Sequence, residues 1–132
     1  MAVALPSALT EFERSILTLI LDHPGEPFAS VSAQLAHASV SQREHTGVGF
    51  FTTFSVPADA PVRHDLPDTE LGDVRAEHPD VRYGVGSILF IRRGTVACLE
   101  AYTYDDEWPN DESKFRVFPD ATPNKNPNER NA

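Results

Sequence analysis

Apolar residues near the start of the chain recur at helical spacing: Phe12, Ile16, Leu19 and Ile20 share one side of a helix. Thr10-Glu11-Phe12-Glu13 opens that helix with a capping box, in which the Thr hydroxyl accepts from the third helical N–H and Glu13 reaches back. Asp22-His23-Pro24-Gly25 stops it. A second helix is expected from Pro27 to Ala38, with Pro27 in its first turn and Phe28, Val31 and Leu35 at three- and four-residue spacing. Two short helices joined by Pro-Gly should pack as a hairpin with one shared apolar side.

From Val40 the period falls to two. Val48, Phe50, Phe54 and Val56 alternate with Gly49, Phe51, Thr53 and Ser55, which reads as a long strand whose apolar side is interrupted by Thr52. Val40–His45 forms a strand before it, with Thr46-Gly47 at the turn. Pro57–Pro67 holds three prolines and is a loop, and Leu71–His78 reads as a short edge strand. Val85–Arg92 and Thr95–Thr103 make a hairpin about Arg93-Gly94. A two-residue turn pairs Arg92 with Thr95, Leu89 with Cys98, Ser87 with Glu100 and Val85 with Tyr102. The other side (Phe90, Ile88, Gly86, Ala97, Leu99, Ala101) is uniformly apolar or small and is expected to seat the helices. A one-residue slip would exchange the two sides. Phe115–Phe118 supplies a last strand.

The expected fold is therefore α+β: an N-terminal helical hairpin packed on one face of a mainly antiparallel sheet of roughly four to six strands. It forms one domain over residues 1–118, with a disordered tail over 119–132.

Charge changes the functional picture. Among 132 residues, 20 Asp+Glu oppose 11 Lys+Arg, a net charge of -9, which argues against direct contact with a nucleic-acid backbone or an anionic membrane. The tail is balanced, so the excess lies within residues 1–118, in two stretches. Asp65, Asp68, Glu70, Asp73, Glu77 and Asp80 form one; Asp105, Asp106, Glu107, Asp111 and Glu112 form the other. The single cysteine, Cys98, has no internal disulfide partner, the N-terminus has no basic leader, and Ile16–Leu21 is too short to span a bilayer. A cytoplasmic location is expected.

Candidate chemistry centres on Glu100, a carboxylate inside an apolar strand. It must be exposed, paired with Arg43, Arg82 or Arg92, bonded to a Tyr hydroxyl, or kept for a partner. The segment from Glu100 to Pro109 adds Tyr102, Tyr104 and Trp108, side chains that favour interface hot spots, and the acids Asp105, Asp106 and Glu107. These seven residues are the expected partner-binding surface, with Trp108 folded back onto the core as the competing role. Exposed apolar residues on the Leu89/Val96 side would also suit a homodimer. The five histidines form no close ligand pair, and neither GVG sequence opens a helix, so no metal or cofactor is expected. No catalytic residue is assigned.

Arg43-Glu44-His45-Thr46-Gly47-Val48-Gly49-Phe50-Phe51-Thr52, Leu99-Glu100-Ala101-Tyr102-Thr103-Tyr104 and Trp108-Pro109 resemble a family of small bacterial proteins with a helical start, a TGVGFFT-like strand and a LEGYTY…WP-like strand end. The likeness covers most of residues 10–118, with Ala101 standing where the pattern has Gly. It implies kinship with immunity-like proteins of bacterial toxin systems. The resulting expectation is an immunity-type inhibitor that holds a basic toxin domain through an acidic and aromatic surface. The alternative is a small-molecule module or enzyme in which Glu44, His45 and Glu100 converge in a sheet pocket.

Overall fold

The computed structural model describes residues 8–22, 24–72 and 74–119. Helix α1 spans Glu11–Asp22, and a 3-10 helix follows over Phe28–Ala36. The capping box forms: the Glu13 N–H donates to Thr10 Oγ1 at 3.0 Å, and the Thr10 N–H to Glu13 Oε1 at 2.9 Å. α1 turns Phe12, Ile16, Leu17, Ile20 and Leu21 into the core. The second helical segment departs from the expected helix in its winding. Its buried residues include Val31 and Gln34, three apart, the spacing that a 3-10 helix aligns.

Seven strands follow in the described residues: β1 (Ser39–His45), β2 (Gly49–Ser55), β3 (Thr69–Leu71), β4 (Val74–His78), β5 (Val81–Arg92), β6 (Thr95–Thr103) and β7 (Arg116–Pro119). They form one sheet in the order β1-β2-β6-β5-β4-β7, with β3 beside β5, and every pairing is antiparallel. The class is α+β, with more strands than expected. Leu71–His78 is not one edge strand: the chain breaks there into β3 and β4, and β4 lies inside the sheet between β5 and β7. Pro119 pairs with Val74, so β7 runs one residue past the expected domain end. The rest of the expected tail lies outside the described residues.

The β5–β6 hairpin corrects the expected register. Arg93 and Gly94 form the turn, with φ of 55° and 76°, as a type I′ turn requires. Arg92 pairs with Thr95 and Ile91 with Val96; then Ala97 bulges, so that Phe90 meets Cys98, Leu89 meets Leu99 and Ile88 meets Glu100. From there on the pairing is one residue out from the expected one. Leu89, Ser87 and Val85 now share the core face with Leu99, Ala101 and Thr103, and all six are buried. Ile88, Phe90 and Gly86 face outward with Glu100, Cys98 and Tyr102. The helix-covered face thus holds Leu99 and Ala101 of β6, as expected, but takes the opposite side of β5 from the one expected. Leu89 and Val96, the expected dimer patch, are at 0% and 1% exposure in the core.

Gln34 holds the bulge. Its Nε2–H donates to the Gly94 carbonyl at 2.7 Å, and its Oε1 accepts the Val96 N–H at 3.0 Å, both buried. A backbone irregularity in a buried place needs such a partner. Where β2 meets β6 the strands approach closely: a Cβ on Gly49 would lie 1.9 Å from the Ala101 carbonyl oxygen. Glycine there admits a neighbouring backbone, as the GVG sequences suggested.

Candidate functional site

Alternation along the strands puts one set of side chains on the face that no described helix covers. Cross-strand pairing aligns Glu44 with Phe51, Phe51 with Glu100, and Glu100 with Ile88, across β1, β2, β6 and β5. Thr53, Cys98 and Phe90 form the next row. Phe51, Ile88, Phe90, Cys98, Glu100 and Tyr102 are all half-buried by their neighbours within the sheet.

Glu100 lies near the centre of this surface. None of the three arginines expected to pair with it does so: Arg43 pairs with Glu13 at 2.7 Å and Arg92 with Glu70 at 2.8 Å, while Arg82 lies 4.0 Å from Asp106. Among the described residues, Glu100 makes no ion pair and no side-chain hydrogen bond. Next to it, Tyr102 meets Tyr104 edge to face, ring centroids 5.5 Å apart. Both hydroxyls lie over Gly86, where a Cβ would be 2.7 Å from Tyr104 Oη. The Arg75 guanidinium lies 5.8 Å from the Tyr104 ring centre. Burial raises the Tyr102 phenol above its ordinary pKa, and Tyr104 and the Glu100 carboxylate add to the rise, while Arg75 opposes it. Burial likewise pushes the Cys98 thiol up, with the Glu100 charge adding to it. A raised thiol pKa fits a quiet side chain rather than a nucleophile.

The expected surface divides. Glu100, Tyr102 and Tyr104 come together; Trp108 does not join them. Its ring packs against Phe50 and Phe115, each 5.1 Å away, and Phe12 at 5.7 Å, on the helix-covered side. Its indole N–H donates to Glu112 Oε2 at 2.9 Å. Asp106 is a structural acceptor, taking the Arg82 backbone N–H at 2.8 Å. Asp105 and Glu107 are exposed. The alternative constellation also divides: Glu44 and Glu100 flank Phe51 on the open face, whereas His45 pairs with Phe50 on the other. Among the described residues no three His, Cys, Asp or Glu gather as metal ligands.

The densest polar cluster is elsewhere and structural. Glu13, 0% exposed, accepts from Arg43 Nε at 2.9 Å and Nη2 at 2.7 Å, and from Thr52 Oγ1 at 2.6 Å. Burial alone would raise its pKa, but the hydrogen bonds from Arg43, Thr52 and Thr10, with the Arg43 charge, together hold it below the ordinary carboxylate value. Thr52, the residue that breaks the apolar side of β2, is there to donate to Glu13.

No protein-family model, curated protein or solved structure matches this chain. The site therefore rests on its geometry. Phe51, Ile88 and Phe90 were not among the expected site residues, although a signal for them exists. Phe51 is apolar at an off-face position of β2, and Ile88-Leu89-Phe90-Ile91 is apolar on both faces of β5.

Proposed function

We propose that this protein acts by binding, as an immunity-type inhibitor whose open sheet face receives a basic protein partner. The observation that supports this reading is Glu100: a half-buried carboxylate with no cationic partner among the described residues, set between Phe51 and Ile88. An Arg or Lys of a partner would pair with it in a desolvated centre, where such pairs govern dissociation and specificity. Phe51, Ile88, Phe90 and Tyr102 provide the apolar contact around it, and the net charge of -9 steers a basic partner toward the molecule. Tyr104, Asp105 and Glu107 extend the surface at the end of β6; Trp108 and Asp106 support it from behind.

The test is affinity capture from the source cell with the wild-type chain, Glu100→Lys, Phe51→Asp and the helix-side control Glu11→Lys. A basic protein should be retained by wild type and control, and released by both open-face variants. Adding the wild-type chain should suppress that protein's activity at one-to-one stoichiometry. Retention by Glu100→Lys, or capture without inhibition, would sink the reading. A second copy is the competing occupant, so a tight homodimer in sedimentation that Phe51→Asp dissolves would also overturn it.

A further inference from the structure

Opposite in charge to the molecule as a whole is a cavity of about 520 Å³ at the β4–β5 turn. Its lining includes Arg75, Arg82, Lys114 and Arg116, against one acid, Glu77. Four of the nine Lys and Arg of residues 1–118 thus line one hollow of a protein with charge -9. The chain builds this hollow with a bulge. Between the pairs Ala76–Val85 and His78–Val81, β4 contributes Glu77 alone while β5 contributes Arg82, Tyr83 and Gly84. The extra residues break the alternation, and Arg82 and Tyr83 are both exposed in succession.

We propose that this cavity binds a small organic phosphate. Arg75 is held in place by its Nη2–H, which donates to the Tyr83 carbonyl at 2.8 Å, and it makes no ion pair among the described residues. Arg116 has Glu77 at 3.0 Å, but the two side chains are 80% and 57% exposed, so the pair is a weak competitor. Arg82 reaches Asp106 only at 4.0 Å, and that carboxylate already accepts the Arg82 backbone N–H. Three guanidinium groups and an ammonium suit a phosphate dianion, whose several oxygens take separate charge-assisted hydrogen bonds. Tyr83, 51% exposed, with the Arg82 guanidinium 5.4 Å from its ring centre, offers a flat wall for a planar group attached to the phosphate. A cavity of this size fits a molecule of nucleotide dimensions rather than a bare ion. The overall negative charge does not forbid it, because at physiological salt distant charges are screened beyond roughly 8 Å. The low cation count still excludes a long nucleic-acid backbone.

Calorimetric titration with adenosine monophosphate, adenosine and inorganic phosphate at physiological salt tests the site, with urea unfolding to verify each variant's fold. Adenosine monophosphate should bind at least about tenfold more tightly than inorganic phosphate, and adenosine should give no saturable heat. Arg82→Glu and Lys114→Glu, both at exposed positions, should each weaken the nucleotide about tenfold or more. Tyr83→Ala should weaken the nucleotide and leave inorganic phosphate unchanged. The proposal is overturned by no saturable nucleotide binding, by equal binding of inorganic phosphate (an adventitious ion only), or by charge reversals without effect. None of these readouts involves Glu100, so this site and the open face stand or fall separately.

Discussion

On the helix-covered face Glu13 is wholly buried, and its carboxylate takes a bidentate guanidinium, a hydroxyl and a backbone N–H. On the open face Glu100 is half-buried and has none of these among the described residues. Both carboxylates lie against β2, one beside Thr52 and the other beside Phe51. A buried charge persists only when paired and hydrogen-bonded, so Glu13 belongs to the fold. Glu100 keeps some water and needs no internal partner, which leaves it available to an external one. Chemical type alone therefore does not mark function. The decisive difference is whether the protein itself has satisfied the group.

The comparison breaks first at Glu13. Glu13→Ala leaves Arg43 and Thr52 facing a void and should cost about 3 kcal/mol in urea unfolding, the lower end for a broken buried pair because Arg43 keeps 24% of its surface in water. A loss below about 1 kcal/mol would place Glu13 in the same category as Glu100.

Acid provides the next effect. The folded-state pKa of Glu13 is lowered, so its contribution to stability is complete above the ordinary carboxylate pKa and is lost as pH falls through the lowered value. The urea midpoint of the wild type should fall on acidification across that window. In Glu13→Gln this part of the slope should be absent. Asp65 and Asp111 also have lowered pKa values, through Arg63 and Ser113 respectively, but both are exposed and Glu13→Gln leaves them in place. An unchanged slope in the variant would assign the acid sensitivity to them.

Local chemistry was legible in the sequence; coupling across distance was not. The capping box at Thr10 and Glu13, the Arg93-Gly94 turn and the alternation of β2 each depend on residues within a few positions of one another. That the same Glu13 also holds Arg43 and Thr52 spans 30 and 39 positions, and no periodicity reveals it. The Ala97 bulge was hidden for the same reason: its polar partner, Gln34, lies 62 positions before Val96. One inserted residue then exchanged the faces of β5 while Leu99 and Ala101 of β6 kept theirs. The acidic and aromatic run Glu100–Trp108 was visible, but its division between two sides of the sheet follows from register and from Trp108 packing on Phe12 and Phe50.

Gln34→Ala tests this coupling and should cost about 2 kcal/mol. It removes the Val96 N–H acceptor inside the core, while the Gly94 carbonyl keeps the Arg63 N–H at 3.3 Å. Amide exchange should speed up at Val96 ahead of β2. Uniform acceleration across the sheet would mean that Gln34 supports the whole fold rather than the bulge.

The smallest effect sharpens the comparison most. Glu100→Gln keeps the size of the side chain and removes only the charge, and no described group depends on that charge for a hydrogen bond. Its unfolding free energy should stay within about 0.5 kcal/mol of wild type, the range of surface substitutions without special partners. A shift toward greater stability is allowed, since the charge lies among Phe51, Ile88 and Tyr102 and partial desolvation opposes it. The phenol of Tyr102 should then titrate at a lower pH, because the Glu100 charge helps hold it up. Its absorbance titration reads that change independently of stability. If Glu100→Gln instead destabilised the chain as much as Glu13→Ala, both carboxylates would be internal supports, and the proposed partner recognition would lose the charge it rests on.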